Sequence, residues 1–423
     1  MRESGVMHMN NRRRNTDASA SERKPNVVFF NDFFAPYSVG GAERFLGLLA
    51  QGLAHEGVKS TVVTPRYSGS PRMANLGSVQ VFRVGTYPDF KQFLRAGSGT
   101  SPRLRVRHRG LEPAQFERGA PETVFHFHNL WRFSTSLIQH VRGKKVMTLH
   151  DYGPFCTRRV MVRVSGRLCP GPTFIQCALC HASGPTTLGS LNPIKPQVWY
   201  SNNKRILTSL DSIIAPSLYM KRFLRKHLGS EDRIELIYNG VDTQRFTPGI
   251  QTDGRRILFV GRPSPLKGVQ FLINVYRRLP SPRPTLLMVG PAPGSVPAPE
   301  GVKLLGTVSD ESLPGLYQNA TCLVAPSQWP ENCSMVLLEA MSSGLPVLAS
   351  NLGGNPEIVE HGVTGFVLPH NMPDSWVDSI LLLTQSEDLR VRMGEAGRTR
   401  ALRRFSLTDC VTKHLRLYSR LVG

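Results

Sequence analysis

The chain lacks several features that would place it in a common protein class. No run of about 18 consecutive apolar residues occurs, so the sequence predicts no membrane-spanning helix. The first 24 residues are polar and rich in arginine, without the apolar stretch of a secretory signal, and we expect residues 1–24 to form a disordered basic tail. The G-x-G-x-x-G pattern does not follow the first predicted strand, which argues against a nicotinamide site.

Acidic residues are scarce in the first half of the chain. Residues 1–230 hold 33 Lys and Arg against 12 Asp and Glu, a net charge of +21; residues 231–423 hold 19 against 18, a net charge of +1. The sum is the +22 of the whole chain. Such a basic half suits an anionic surface such as phospholipid headgroups, a polyprenyl-phosphate carrier or nucleic acid. A general arginine bias of the source genome is the alternative.

Apolar runs separated by helical or loop segments predict an α/β fold with parallel sheets. A chain of 423 residues is long enough for two domains, each with its own core. We place the first domain at 25–228 and the second at 229–405. The predicted strands are 26–31, 59–64, 79–84, 124–128, 145–149 and 212–215 in the first domain, and 257–260, 285–289, 303–305, 321–324 and 347–349 in the second.

The segment 326–346 is the most informative stretch of the sequence. It follows a buried strand, and Ser334 is a good N-cap for a predicted helix at 335–343. Glu331 therefore lies in the loop after the strand, and Glu339 lies inside the helix. Between them the free backbone amides of the helix N-terminus are suited to an anion. Two acceptors around a phosphate-binding helix end are what a sugar nucleotide needs.

A second motif, 255–268, predicts a buried strand followed by a tight loop and a helix. The loop carries Arg262 and Lys267. Arginine can hold two phosphate oxygens at once and lysine adds a compact charge, and both interactions strengthen as a leaving diphosphate gains charge. The motif therefore predicts a diphosphate site.

These motifs resemble, in order, those of the family-4 retaining glycosyltransferases, which carry a Glu-x7-Glu motif. Further matches are the glycine loop 39–43 and the trailing segments 352–359 and 361–365, so that nearly the whole chain is covered. The resemblance implies the GT-B fold, two Rossmann-like domains whose parallel sheets face each other across a cleft. The sequence departs from the common pattern after Glu331, where Asn-Cys-Ser at 332–334 replaces Phe-Gly.

The resemblance also implies roles for individual residues. Glu339 would bind the ribose hydroxyls, while Glu331 and His150, at the end of a predicted strand, would contact the donor sugar as the catalytic residues. The other residues assigned to donor binding are Gly41, Arg262, Lys267, Asn332, Cys333, Ser334, Met335 and Val336. His126 and His128, on another predicted strand, are interpreted as structural, with one of them facing the cleft as the alternative.

The function that the resemblance implies is transfer of a hexosyl-type sugar, with retention, from a nucleoside-diphosphate sugar to an acceptor hydroxyl. UDP is the first candidate carrier and GDP the next. The acceptor, a glycan, lipid-linked or small molecule, would bind the basic first domain, which favours cell-surface polysaccharide or glycolipid assembly. We expect a cytoplasmic enzyme, peripheral on the inner face of the plasma membrane. The resemblance also implies that the last helix, within 406–423, returns to the first domain. No Asp-x-Asp occurs at a strand end, and no catalytic metal is expected.

Four of the seven cysteines lie close together in a predicted insertion at 156–181: Cys156, Cys169, Cys177 and Cys180. Four thiolates in a short Gly- and Pro-interrupted segment predict a structural zinc site. An iron–sulfur centre has the same ligand count, and free thiols or disulfides are further alternatives, although disulfides are less expected without a secretory signal.

The segment 86–122 lacks periodicity and holds no acid between Asp89 and Glu112, where it carries six basic residues. We interpret it as a mobile loop facing the acceptor or a membrane, with a solvated insertion as the alternative.

Two other functions fit parts of the pattern. One is a GT-B epimerase, hydrolase or phosphorylase; the other is a basic, zinc-containing nucleic-acid-binding protein. Because the basic residues are not interleaved with aromatic residues, we expect no nucleic-acid partner.

Overall fold

The structure, a computed structural model, describes residues 24–37, 40–67, 69–87, 122–128, 138–139, 141–163, 165–182, 195–249 and 255–423. The first sheet has eight strands: β1 (Asn26–Phe30), β2 (Ser60–Tyr67), β3 (Met73–Leu76), β4 (Val79–Tyr87), β5 (Thr123–His128), β6 (Lys144–Thr148), β7 (Ser212–Ala215) and β8 (Ile234–Leu236). Their order is β3-β4-β2-β1-β5-β6-β7-β8. Every neighbouring pair is parallel except β3 and β4.

The second sheet has six strands, all parallel: β9 (Arg256–Val260), β10 (Thr285–Val289), β11 (Val302–Gly306), β12 (Cys322–Ala325), β13 (Val347–Ser350) and β14 (Gly365–Leu368). Their order is β11-β10-β9-β12-β13-β14. The expectation of two parallel α/β sheets is confirmed.

The helices connect successive strands or follow them. Their bounds are α1 (Gly41–His55), α2 (Phe174–Ala182), α3 (Lys195–Thr208), α4 (Leu218–Leu228), a 3-10 turn (Pro265–Lys267), α5 (Val269–Arg278), α6 (Leu313–Gln318), α7 (Met335–Ser342), α8 (Asn355–Ile358), α9 (Pro373–Gln385), α10 (Glu387–Arg404) and α11 (Leu407–Val422).

Central strands carry apolar runs because both of their faces are covered. All residues of β5, β12 and β13 are buried, and they read Thr-Val-Phe-His-Phe-His, Cys-Leu-Val-Ala and Val-Leu-Ala-Ser. A strand with helices on both faces needs no polar alternation. His126 and His128 are therefore polar residues inside an otherwise apolar layer.

The chain crosses between the two sheets twice, and the two crossings are hydrogen-bonded to each other. The backbone N–H of Val241 donates to the carbonyl of Phe405 (2.8 Å), and the N–H of Leu407 donates to the carbonyl of Val241 (2.9 Å). The chain leaves the first sheet after β8, later than the boundary predicted at residue 228, because β8 pairs with β7. This short strand has one buried residue, Ile234, too little to be seen as an apolar run.

Helix α11, the last helix of the chain, packs against the first domain through α1 and β5. Its Tyr418 is fully buried, and the Tyr418 hydroxyl lies 2.7 Å from Nδ1 of His126. None of the helices in the described ranges is both long and apolar enough to cross a membrane. The predicted tail 1–24, except for Lys24, and most of the predicted loop 86–122 lie outside the described residues.

Among the residues that the structure describes, three histidines are completely buried where α11 packs on the first sheet: His126, His128 and His414. Nε2 of His126 lies 2.8 Å from Oγ1 of Thr148, and Nδ1 of His414 lies 2.8 Å from the carbonyl oxygen of Cys410. Burial, reinforced by the neighbouring imidazoles, holds the pKa values of His126 and His128 well below the usual value, and burial lowers the pKa of His414 to about 4. At neutral pH these side chains are uncharged.

These buried histidines predict acid sensitivity. In the unfolded chain histidines take up protons near pH 6.5, whereas His414 in the folded chain does so near pH 4. Between these values the unfolded state binds more protons, so the free energy of unfolding falls as pH falls. For His414 the slope is about 1.4 kcal/mol per pH unit.

Urea unfolding of wild type and His414→Asn between pH 7.5 and 5 measures this slope. We expect a shallower pH dependence for the variant, whereas His55→Asn, at an exposed position, should match wild type. Parallel curves for wild type and His414→Asn would contradict the assignment.

Candidate functional site

The candidate site lies where loops of the two domains meet. A Cβ placed on Gly41, the first residue of α1, would lie 3.1 Å from Cγ of Met335, the first residue of α7. The Tyr152 hydroxyl donates to the carbonyl of Pro330 (3.0 Å), and the Asn332 amide donates to the carbonyl of Leu149 (3.4 Å). These contacts bring the loop after β6 against the loop after β12.

The N-terminus of α7 has no side-chain cap. The hydroxyl of its N-cap, Ser334, accepts no backbone hydrogen bond, and the first turn holds no acidic residue. Its first amides therefore keep their donor capacity and the positive end of the helix dipole is not neutralised by a side chain of that turn. Opposite, the backbone of Gly41 packs against the side chain of Met335 and adds no side chain of its own.

Glu331 is 7% exposed and carries several hydrogen bonds on one oxygen. Its Oε1 accepts from Nζ of Lys267 (2.6 Å), and from two neighbours in its own loop, the Ser327 hydroxyl (2.8 Å) and Nε1 of Trp329 (3.0 Å). Burial raises the pKa of Glu331, but the Lys267 ammonium and the hydrogen bonds outweigh it, so the pKa lies below the usual value. Glu331 is therefore an ionised acceptor at neutral pH.

The loops that carry Lys267 and Glu331 pack closely against neighbouring backbone, because glycines without a Cβ lie at the points of contact. Gly268 has φ +74°, and a Cβ there would lie 2.0 Å from the carbonyl oxygen of Pro326. Gly353, with φ +63°, similarly leaves space for the backbone of Glu331, and the N–H of Gly354 donates to the Glu331 carbonyl (2.6 Å). The trailing glycine motif therefore fixes the backbone of the Glu331 loop.

Arg262 lies in the same loop as Lys267 and is exposed. Its backbone carbonyl accepts from the N–H of Ser264 (2.8 Å), but no hydrogen bond or ion pair joins its guanidinium to another residue in the described part of the chain. The two predicted phosphate cations thus differ: Lys267 is held by a carboxylate, and Arg262 is free to reach a ligand.

Glu339 is 1% exposed and is paired with a cation from the other domain. Nη1 of Arg44, in α1, lies 3.2 Å from Oε1 of Glu339, and the Tyr317 hydroxyl donates to Oε2 (2.8 Å). Nε of Arg44 also lies 3.8 Å from Oδ1 of Asp310. Burial raises the pKa of Glu339 and prevails, although Arg44 and Tyr317 oppose it. The ionisation of Glu339 therefore depends on Arg44.

His150 lies just beyond β6 and is half-buried. Its Nε2 lies 2.8 Å from Nδ1 of His128, and its ring centroid lies 5.7 Å from that of Phe45. Burial, with a smaller contribution from His414, lowers the pKa of His150 to about 3. At neutral pH His150 is a neutral hydrogen-bonding group rather than a proton source.

The other predicted donor-binding residues surround the start of α7. Asn332 is buried, and Cys333 and Val336 are half-buried against the hydrophobic core. Burial raises the pKa of the Cys333 thiol to about 12, so Cys333 is not a nucleophile at neutral pH. These residues are therefore placed to offer backbone amides rather than reactive side chains. Val39, part of the glycine-loop match, lies outside the described residues.

Sequence reasoning missed the partners that hold the predicted residues. These are Arg44 and Tyr317 for Glu339, Ser327 and Trp329 for Glu331, and His128 for His150. It also missed Glu357, whose carboxylate accepts from the N–H groups of Leu218 and Tyr219 (both 2.6 Å) at the start of α4. Ser327 and Trp329 lie within four residues of Glu331, so the sequence could have suggested these partners. The contacts between the domains join distant segments, and no local sequence pattern predicts them.

The four clustered cysteines share one region of the first domain. Cys156 and Cys169 lie in loops joined by a short antiparallel bridge, Val162 to Leu168, and Cys177 and Cys180 lie one turn apart on α2. Burial raises the pKa of the Cys177 thiol, and the other three thiols raise it further. All four are free thiols.

The described residues contain no group of three or more His, Cys, Asp or Glu side chains positioned to hold a metal ion. The thiols are therefore near one another without converging as ligands do, and the zinc site stays a prediction.

Two family models match the chain. One, described as "Glycosyltransferase Family 4", matches residues 39–245, and the other, "Glycosyl transferases group 1", matches residues 240–400. A D-inositol 3-phosphate glycosyltransferase of Corynebacterium efficiens is 29% identical over 218 residues, which are 44% of this chain and 51% of that protein. The matches to the first curated relatives span 51% to 66% of those proteins' lengths.

Solved structures share the fold at low identity. Sucrose-phosphate synthase from Thermosynechococcus elongatus has a TM-score of 0.71 and 19% identity, with 94% of this chain and 99% of that chain covered. HepE of Anabaena, in complex with UDP-glucose, has a TM-score of 0.63 and 18% identity, covering 94% and 100%. The solved structures show that the chain has the GT-B fold, and the two family models, which together run from residue 39 to residue 400, show that it belongs to glycosyltransferase family 4.

Proposed function

We propose that this protein transfers a hexosyl-type sugar from a nucleoside-diphosphate sugar to an acceptor hydroxyl, with retention of the anomeric configuration. One observation carries the proposal. The ionised pair of Lys267 and Glu331 and the buried Glu339 lie on either side of the uncapped start of α7. The arrangement offers cations and amides to a diphosphate and carboxylates to the hydroxyls of its ribose and sugar.

In the proposed reaction the bond between the anomeric carbon and the diphosphate oxygen breaks first. Arg262, Lys267 and the first amides of α7 stabilise the negative charge that develops on the departing diphosphate. The acceptor oxygen then bonds to the anomeric carbon from the same face, and its proton passes to the departing diphosphate. Because side chains supply the cations, the proposal requires no divalent metal.

Glu331 and His150 orient the sugar in this proposal rather than bond to it. Glu331 is ionised and its Oε1 is already engaged by Lys267, Ser327 and Trp329, so Oε2 is the oxygen offered to sugar hydroxyls. His150 is neutral, with a pKa of about 3, and acts as a hydrogen-bonding partner.

UDP is the proposed carrier, with GDP as the alternative. The complex of the Anabaena relative with UDP-glucose supports this choice. For the acceptor we propose a glycan, lipid-linked or small molecule bound by the basic first domain, within cell-surface polysaccharide or glycolipid assembly. The net charge of +21 on residues 1–230 supports an anionic acceptor or membrane surface and a cytoplasmic, peripheral location.

Titration calorimetry with UDP-glucose, GDP-glucose and ADP-glucose tests the donor assignment. We expect one nucleotide to bind tightly, unaffected by a chelator, and Lys267→Met to weaken binding at least about tenfold, since a charge-assisted hydrogen bond contributes roughly 1.5–3 kcal/mol. Arg262→Ala should also weaken binding without leaving a buried carboxylate unpaired. Lys303→Met, at an exposed lysine of β11, is the charge-matched control. Equal affinity in all three variants would overturn the proposal.

Arg44 should control nucleotide affinity in a pH-dependent way. Because its cation opposes the effect of burial on Glu339, Arg44→Ala raises the Glu339 pKa further and leaves less carboxylate for the ribose. We expect the affinity of the variant relative to wild type to be several-fold lower at pH 6 and to approach that of wild type by pH 8.5, because protonated Glu339 no longer offers a carboxylate to the ribose.

Arg72→Ala, at an exposed arginine of the same domain, should behave as wild type at both pH values. A loss of affinity in Arg44→Ala that is the same at pH 6 and pH 8.5 would show that Arg44 does not act through Glu339.

For the cysteine cluster we propose a zinc ion with a structural role, held by Cys156, Cys169, Cys177 and Cys180. The soft thiolate set and the shared neighbourhood of the thiols support it. The thiols must move closer to bind, and the ion takes no part in the transfer reaction.

Elemental analysis of purified protein tests this proposal. We expect about one zinc per chain, lost in Cys177→Ser but retained in Cys410→Ser, whose thiol lies in α11. Loss of the metal should lower the melting temperature. Iron in place of zinc, or full thiol reactivity without metal, would contradict the proposal.

A further inference from the structure

His128 is the immediate neighbour of the proposed catalytic histidine. The two imidazoles are joined by a 2.8 Å hydrogen bond between Nδ1 of His128 and Nε2 of His150, and their rings stack at 5.0 Å with an interplanar angle of 19°. The register of β5 and β6 creates this contact, because His128 pairs with Thr148 and His150 follows two residues later. The sequence pattern alone favours a structural role for His128.

Neighbouring aromatic side chains fix the position of the His128 ring. Its ring centroid lies 4.2 Å from that of His126 and 5.8 Å from that of Phe29. His126 is in turn held by the Tyr418 hydroxyl of α11 and by Thr148. His128 is fully buried, so its ring cannot rotate into solvent to find another hydrogen-bond partner.

The two ring nitrogens of His128 have different surroundings. Nδ1 faces His150, whereas Nε2 is buried and has no hydrogen-bond partner in the described part of the chain. A buried N–H without an acceptor is more costly and rarer than a buried acceptor without a donor. The proton of neutral His128 therefore belongs on Nδ1, and it is donated to Nε2 of His150.

This assignment fixes the tautomer of His150. Its Nε2 accepts from His128, so the proton of neutral His150 is on Nδ1. No hydrogen bond joins the Nδ1 of His150 to another residue in the described ranges. His150 thus presents an N–H donor to the site and not a lone pair.

We propose that His128 is a positioning residue for glycosyl transfer: by donating its Nδ1–H to Nε2 of His150, it holds the His150 ring and makes His150 a hydrogen-bond donor to a sugar hydroxyl. This inference rests on the proposed role of His150. The tautomer itself is a property of the unliganded protein and is measured separately.

Nitrogen-15 NMR of histidine-labelled protein at pH 7.5 reads the tautomer directly, with His150→Asn identifying the His150 signals. We expect wild-type His150 to be protonated on Nδ1. In His128→Asn the side-chain amide occupies the place of Nδ1–H, so the tautomer should persist. In His128→Gln the amide lies farther out, and His150 should become a mixture of the two tautomers.

Steady-state kinetics on the same variants give the functional readout. Loss of one hydrogen bond in His128→Gln should lower kcat about tenfold with little change in the KM for the sugar nucleotide, and His128→Asn should restore it. His414→Asn, at a buried histidine that makes no hydrogen bond to His150, controls for loss of stability.

The outcomes separate the two proposals. A wild-type His150 protonated on Nε2, or equal kcat in His128→Asn and His128→Gln, overturns the role of His128. If instead His150→Asn retains full activity while the tautomer is as expected, the role proposed for His150 fails and the hydrogen-bond assignment stands.

Discussion

The site depends on keeping two carboxylates charged where water is largely excluded. Glu331 and Glu339 are both nearly fully buried, and an isolated buried carboxylate would take up a proton instead. Each is therefore given a cation, Lys267 from a loop of its own domain and Arg44 from the other domain. The balance between burial, which raises a carboxylate pKa, and the neighbouring cation, which lowers it, differs between the two residues. The pKa of Glu331 is lowered and the pKa of Glu339 is raised.

This difference suits the parts that the two residues are proposed to play. Glu331, with Lys267 in contact, keeps its charge without help from the first domain, so the sugar end of the site is set within one domain. Glu339 relies on Arg44, so the ribose end is complete when the two domains are together. The charge of Glu339 is thereby linked to the contact between the two domains.

A second set of buried polar groups connects the site to the C-terminal helix. Tyr418 of α11 contacts His126, the tilted rings of His126 and His128 are in contact, and His128 is hydrogen-bonded to His150. These histidines are neutral, because burial lowers their pKa values, so the set transmits position through hydrogen bonds and ring contacts rather than through charge. The last helix is thus part of the architecture that supports the site.

Much of the fold was predictable because buried parallel strands are continuous apolar runs. The strand predicted at 59–64 is Ser60–Tyr67, and the helix predicted at 335–343 is Met335–Ser342. The strand β8 was not predictable, since three residues with one buried side chain leave no pattern. Among the site residues, Glu331 and Lys267 were predicted separately, but their contact joins residues 64 positions apart.

The sequence by itself determined the two parallel sheets, the position where α7 begins and the residue types around it, because these follow from local periodicity and spacing, whereas the structure shows that the Ser334 hydroxyl does not cap the helix. The tertiary structure decided which cation meets each carboxylate and which imidazole meets His150. Arg44 meets Glu339, and His128 meets His150, because two domains and two adjacent strands are brought together. Coulomb energy and hydrogen bonding depend on distances in space, and separation along the chain does not encode them.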